Sequence, residues 1–325
     1  MRESEIVWNL VWTGGVYEHL RYFAFSLFDQ TDSRFRFIAN NCTPDSLAAM
    51  QAFTAATDRV VETVVHDDPR MVPHGAALEP ILRTRNDGEV FAFIDVDIKA
   101  LAPFTAGFLD TLATASAVTS GSELWTEANT LAEGEVGVGG RHFYDHDGFV
   151  YGSPHCALYR RAELLETLDR WGIGLHCGNQ TEMPDATWAA VQHAGRDKIA
   201  YDTAKVANVL FQVDGHTLVH EENESLLHIG GVSHYLAPPQ FDFATDKTDG
   251  EFDGEPAWTV HQGIEMRHVL ARYTGACLRA AADGESMPEV DGEIDDAARE
   301  KLEVVRSEVA SMVESARPWI ELTGE

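Results

Sequence analysis

Three times before residue 90 the chain follows a β-branched or aromatic run with an amphipathic one, and a fourth apolar run then ends on Asp95-Val96-Asp97. Ile6 to Trp12 predicts a buried strand, broken by Thr13-Gly14-Gly15. Val16, Leu20, Phe23 and Leu27 recur at helical spacing and predict a helix to Asp29. Phe35 to Ala39 is a second strand, ending at Asn40-Asn41. Thr43 as N-cap and Pro44 in the first turn open a helix to about Thr57. Arg59 to Val65 is a third strand, ending at His66-Asp67-Asp68-Pro69. Gly75 to Thr84 is a third helix, and Val90 to Ile94 a fourth strand. Such alternation is the signature of an α/β fold with a doubly wound, mainly parallel sheet. Ligands of these sheets bind outside the carboxyl ends of the strands. Candidate site positions are therefore Thr13-Gly14, Asn40-Asn41, Asp67-Asp68 and Asp95 to Asp97.

The pattern then loosens. Ala115 to Ser120 and Gly152 to Tyr159 predict strands, Arg161 to Trp171 a helix. The acidic, glycine-rich stretch from Glu123 to Gly148 has no period, and a loop that long is usually functional or disordered. Helices are expected over Ala186 to Ala194 and Asp202 to Gln212, and a short strand over Thr217 to His220. Residues 241–258, rich in Asp, Gly and Thr, read as a linker between a domain over 1–240 and a helical extension over 259–325.

Composition removes several functions. With 53 acidic against 24 basic residues the formal charge is −29, and no basic stripe for nucleic acid is visible. An anionic membrane surface is disfavoured for the same reason. No run approaches the ~20 apolar residues of a membrane span. The four cysteines lie at no metal-ligand spacing, so reduced thiols and a cytoplasmic location are expected. The acidic excess fits a salt-adapted cytoplasm or simply an acidic protein from a high-GC genome. No Gly-x-Gly-x-x-Gly, Walker loop, Gly-x-Ser-x-Gly or His-Glu-x-x-His is present.

The segment with most chemistry is Phe91-Ala92-Phe93-Ile94-Asp95-Val96-Asp97. An apolar strand delivers two carboxylates one residue apart, and in an extended chain both point the same way. Hard oxygen ligands with water and phosphate oxygens suit Mg²⁺ or Mn²⁺. Such an ion can neutralise a diphosphate leaving group. The competing reading is a turn-capping Asp95, with Asp97 paired to Lys99.

On these residues the chain resembles GT-A-fold glycosyltransferases, nearest the broad family 2 grouping, over residues 5 to 235. The resemblance implies a UDP- or GDP-sugar donor, a hydroxyl-bearing acceptor, and Mn²⁺ or Mg²⁺ at the Asp-x-Asp segment, matched by Asp95 and Asp97. It implies nucleotide contacts at Thr13, Asn40 and Asp67. His74-Gly75-Ala76-Ala77-Leu78 with Arg83 resembles the helix that lies near the nucleotide. Asp202-Thr203-Ala204-Lys205 resembles an Asp-Thr-Gly segment of some members, with Ala where those have Gly. Leu227 to His234 resembles the histidine-bearing end of the core, so His228, or else His234, would complete the metal shell. An inverting transfer needs a base near the acceptor hydroxyl. Asp185, ahead of its helix, and Asp202 are the candidates, and either could instead be a helix N-cap.

Other readings remain open. Residues 139–148, including Arg141, could form a lid or acceptor loop, or only a surface loop. A nucleotidyltransferase could share the fold, although the first loop, Thr13 to Glu18, lacks a basic residue. A non-catalytic binding module is the other rival. Val304, Met312 and Trp319 could serve a homodimer or pack back on the core.

Overall fold

The computed structural model describes residues 1–125, 145–146, 148–177, 180–196, 202–236, 251–252, 255–256, 266–290 and 296–322. In chain order, β1 (Val7–Gly14), α1 (Tyr17–Asp29), β2 (Arg34–Cys42), α2 (Pro44–Ala56), β3 (Val60–Val65), α3 (His74–Thr84) and β4 (Val90–Ile94) form the repeated units expected from the sequence. Thr43 is the N-cap of α2, its hydroxyl accepting from the Ser46 N–H at 3.3 Å. β5 (Ile98–Ala100), α4 (Thr105–Leu112) and β6 (Ala117–Ser120) follow. A hairpin of β7 (Asp145–His146) and β8 (Phe149–Val150) precedes β9 (Cys156–Arg160) and α5 (Arg161–Trp171). Then come α6 (Asp185–His193), α7 (Lys205–Val213), β10 (Leu218–His220), β11 (Leu226–His228) and α8 (Val232–Leu236). After the small pair β12 (Glu251–Phe252) and β13 (Glu255–Pro256), the chain closes with α9 (Met266–Ala282), α10 (Asp296–Ser315) and α11 (Arg317–Glu321).

The central sheet has seven strands in the order β10-β6-β9-β4-β1-β2-β3. All its pairings are parallel except those of β9, which runs against both β4 and β6. The fold is thus mixed α/β with a mainly parallel sheet. The strands alternate strictly. Trp8, Leu10, Trp12, Phe35, Phe37, Ala92 and Ile94 face α1, α2 and α4. Val11, Ile38, Phe91 and Phe93 face α3, α5 and α7. Near-continuous apolar strands follow from this two-sided burial.

The antiparallel strand is what builds the site. Because β9 opposes β4, with Ile94 opposite Cys156, the start of β9 lies beside the carboxyl end of β4. A parallel strand there would have turned its start to the far edge of the sheet.

α9 and α10 lie over α1, adding Val269, Leu270, Leu302, Val305 and Met312 to the core on that face. Trp319 reaches the rings of Phe25, Phe28 and Phe53 and donates to Asp29 at 2.9 Å. Met312 and Trp319 thus pack within the chain, whereas Val304 is exposed. No helix among the described residues is long and apolar enough to cross a membrane.

Candidate metal and donor site

Asp95 to Asp97 is a turn, with the Ile98 N–H reaching back to the Asp95 carbonyl at 3.4 Å. Extended alternation therefore does not apply, and the carboxylates part company. Asp95 is half-buried and faces His155, whose Nδ1 stands 2.9 Å from Oδ2, and His74, whose Nε2 stands 3.5 Å from Oδ1. Asp97 turns inward and is buried. Its Oδ2 accepts from the Val232 N–H at 3.0 Å, and its Oδ1 is 3.2 Å from His228 Nε2. The turn-capping alternative fails at its second half: Lys99 pairs with Glu308 of α10.

Two of the histidines are held by their far nitrogens. His228 Nδ1 lies 2.8 Å from the Gly121 carbonyl, which can only accept, so Nδ1 carries a proton and Nε2 is the atom turned toward Asp97. His155 Nε2 lies 2.9 Å from Oε1 of buried Glu123, again an acceptor, leaving Nδ1 for Asp95. The two rings are close, with centroids 4.4 Å apart. One ligand atom each of Asp95, His155 and His228 lies within 4.8 Å of the others.

The electrostatics follow from the same contacts. Burial opposes charge on His155, but Glu123 and Asp95 outweigh it and raise the ring's pKa well above its ordinary value. Such a ring takes either a proton or a metal ion on Nδ1. Burial would raise the Asp97 carboxyl, yet His228 and the Val232 N–H hold it below the usual carboxylate value. His74 moves the other way: burial lowers its pKa against the pull of Asp95 and Asp202. Its Nδ1 is 3.2 Å from the Thr203 hydroxyl, and its buried Nε2 has no hydrogen-bond partner among the described residues.

A carboxylate with two imidazoles, each ring oriented by an acceptor behind it, is the donor set and outer shell of a divalent transition-metal site. The residues present fit a metal ion. Of the three metal ligands expected from the sequence, Asp95 and His228 lie in this cluster together with His155, and Asp97 stands beside it against His228.

The remaining candidates are scattered. Thr13 and Asn40 are register partners at the ends of β1 and β2. The Asn40 amide is committed to Val72, donating to its carbonyl at 2.8 Å and accepting from its N–H at 3.0 Å, so it fastens the loop after β3. Asp67 is exposed in that loop, beyond the outer strand, about 14 Å from β4 by strand spacing. Arg83 lies nine residues along α3 from His74, about 13 Å down the axis. There it pairs with Glu79 and with Asp169 of α5. Asp185 is exposed at the first turn of α6, and Pro184 occupies the N-cap. Asp202 lies close enough to His74 and Lys205 for its charge to act on both. Lys205 is buried with its ammonium on the Gly152 carbonyl, and burial pushes its pKa down to about 8. The side chain of His234 lies outside the described residues, as do residues 139–144 and 147 with Arg141.

His155 and Glu123 are absent from the sequence reading. The available signal was Ser153-Pro154-His155 just ahead of the strand, where the Ser153 hydroxyl accepts from the His155 N–H at 3.1 Å. Its meaning depends on β9 being antiparallel, which the sequence does not state.

No family model matches the chain, and no curated protein does. Solved structures of similar fold include the glycosyltransferase GlyE of Streptococcus pneumoniae TIGR4, 7% identical with a TM-score of 0.37 over 66% of this chain and 44% of that one. The chain thus spans less than half the length of GlyE. TarS 1–349 of S. aureus is 10% identical, with a TM-score of 0.39, over 94% of this chain and 92% of that one. A nucleoside-diphosphate-sugar pyrophosphorylase from Vibrio cholerae RC9 is 13% identical, with a TM-score of 0.40, over 70% of this chain and 98% of that one. With TM-scores of 0.37, 0.40 and 0.39, none of these likenesses says what this chain does.

Proposed function

We propose that the chain is a metal-dependent glycosyltransferase that moves a sugar from a nucleotide-diphosphate donor to a hydroxyl acceptor, with inversion. The observation that carries this reading is the Asp95–His155–His228 cluster at the carboxyl end of β4, in a sheet whose ligands belong at that edge. Mn²⁺ or Mg²⁺ held there would offset charge on a diphosphate leaving group. Asp95, His155 and His228 are the proposed ligands, with Gly121 holding the His228 ring from behind, and Asp97 holds the start of α8 through Val232. Asp202 is the proposed base for the acceptor hydroxyl. It stands with His74 and Lys205, whereas Asp185 is exposed in α6. Thr13 is the group left at the end of β1 to meet the nucleotide.

Titration calorimetry with UDP and with GDP, with and without Mn²⁺, tests the proposal on wild type and Asp95→Asn. One nucleotide should bind only with Mn²⁺, and the substitution should remove that binding. If neither nucleotide binds wild type at low or high salt, the reading is wrong and a non-catalytic module takes its place.

A further inference from the structure

Glu123 is a carboxylate that only a partner can justify. It is 4% exposed, and a carboxylate buried without a partner is strongly disfavoured. Its Oε1 meets His155 Nε2 at 2.9 Å. Its backbone is tied to the other ring's strand: Glu123 bridges His228, and the Leu124 N–H donates to the His228 carbonyl at 2.8 Å. Two residues earlier, the Gly121 carbonyl takes the His228 Nδ1 proton. Close packing completes the frame, since a Cβ on Gly230 would stand 2.7 Å from the Glu123 Cγ. Residues 121–124 therefore back both imidazoles at once.

We propose that Glu123 is a positioning residue of the metal centre, holding His155 as the Nε2–H tautomer with Nδ1 turned to Asp95, and so setting how tightly the site binds a divalent cation. The inference rests on Asp95, His155 and His228 being that centre. Glu123 touches neither the proposed ion nor the substrate. It acts through the ring, by fixing orientation and strengthening the ring as a donor.

Calorimetric titration of the full chain with MnCl₂ alone, without nucleotide, tests this. The proteins are wild type, Glu123→Ala, Glu123→Gln, His155→Ala and the Glu123→Gln/His155→Ala double variant. Glu123→Ala should weaken Mn²⁺ binding about 10- to 100-fold, the usual effect of losing an outer-shell partner. Glu123→Gln, which keeps an accepting oxygen and the shape, should retain part of the affinity. It also keeps the test open if the alanine variant does not fold. Adding Glu123→Gln to His155→Ala should change Kd no further, because the carboxylate acts through that ring. An unchanged Kd in both Glu123 variants overturns the proposal, and so does an equal loss with and without His155, which would mean bare charge attraction. Wild type that binds no Mn²⁺ overturns the metal centre itself, a separate outcome.

Discussion

Ala204 has φ 61° and ψ −3°, a left-handed conformation that costs an L-residue roughly 1–2 kcal/mol. It is fixed there from both sides, its N–H on the Leu175 carbonyl at 2.7 Å and its carbonyl taking the Asn208 N–H at 2.7 Å. A glycine would take this conformation freely, whereas this chain holds it with alanine. Ala204→Gly would relieve the strain, but it loses a buried methyl worth about 0.8 kcal/mol and gains unfolded-state entropy worth about 0.4–1 kcal/mol. The sum is near zero. Ala207, buried inside α7, has no strain to relieve, so Ala207→Gly should cost about 2 kcal/mol from helix propensity and the lost methyl. Urea unfolding should place Ala204→Gly within about 0.5 kcal/mol of wild type and Ala207→Gly well below it. Equal losses would show that Ala204 carries no strain.

At the scale of elements, β1 to β4 with α1 to α3 were legible because each is a local pattern: apolar strands, a helical stripe, a Thr-Pro start. Asp95 and His228, expected from the sequence as metal ligands, do lie in one cluster. What eluded the sequence was pairing. Nothing in Cys156 to Tyr159 says that β9 runs against its neighbours, and that single fact brings His155 to Asp95. Nor does Asp-Val-Asp reveal whether it continues a strand or turns, and the turn is what separates Asp95 from Asp97. The start of α3 is likewise set by tertiary contact. A Cβ on Gly75 would stand 2.8 Å from the Leu175 carbonyl group, backbone that cannot swing aside. Gly75→Ala should push the helix start off residues 175–176, costing about 1–3 kcal/mol as an overpacked site. A lowered urea midpoint at unchanged m would record it, and an unshifted midpoint would show that the contact is not tight.

Across the whole molecule the dominant quantity is the charge of −29. Self-repulsion of that size works against the compact state, and salt relieves it. Raising KCl from about 0.1 M to about 1 M shortens the screening length from about 10 Å to about 3 Å. The thermal midpoint should rise by several degrees over that range in scanning calorimetry, and a flat or falling midpoint would mean that the carboxylates are already locally compensated.

One of the few lysines ties the edge of the candidate site to the closing helices. Lys99 of β5, two residues past Asp97, buries its ammonium on the Glu308 side chain and donates to the Glu308 carbonyl at 3.1 Å. The Ala100 N–H beside it donates to the Ser26 hydroxyl of α1 at 3.1 Å. A local opening that lifted α10 would strip that ammonium of both its acceptors, next to the site's turn. The closing helix and the Asp95–Asp97 turn are thereby coupled, and their amides should exchange with solvent together.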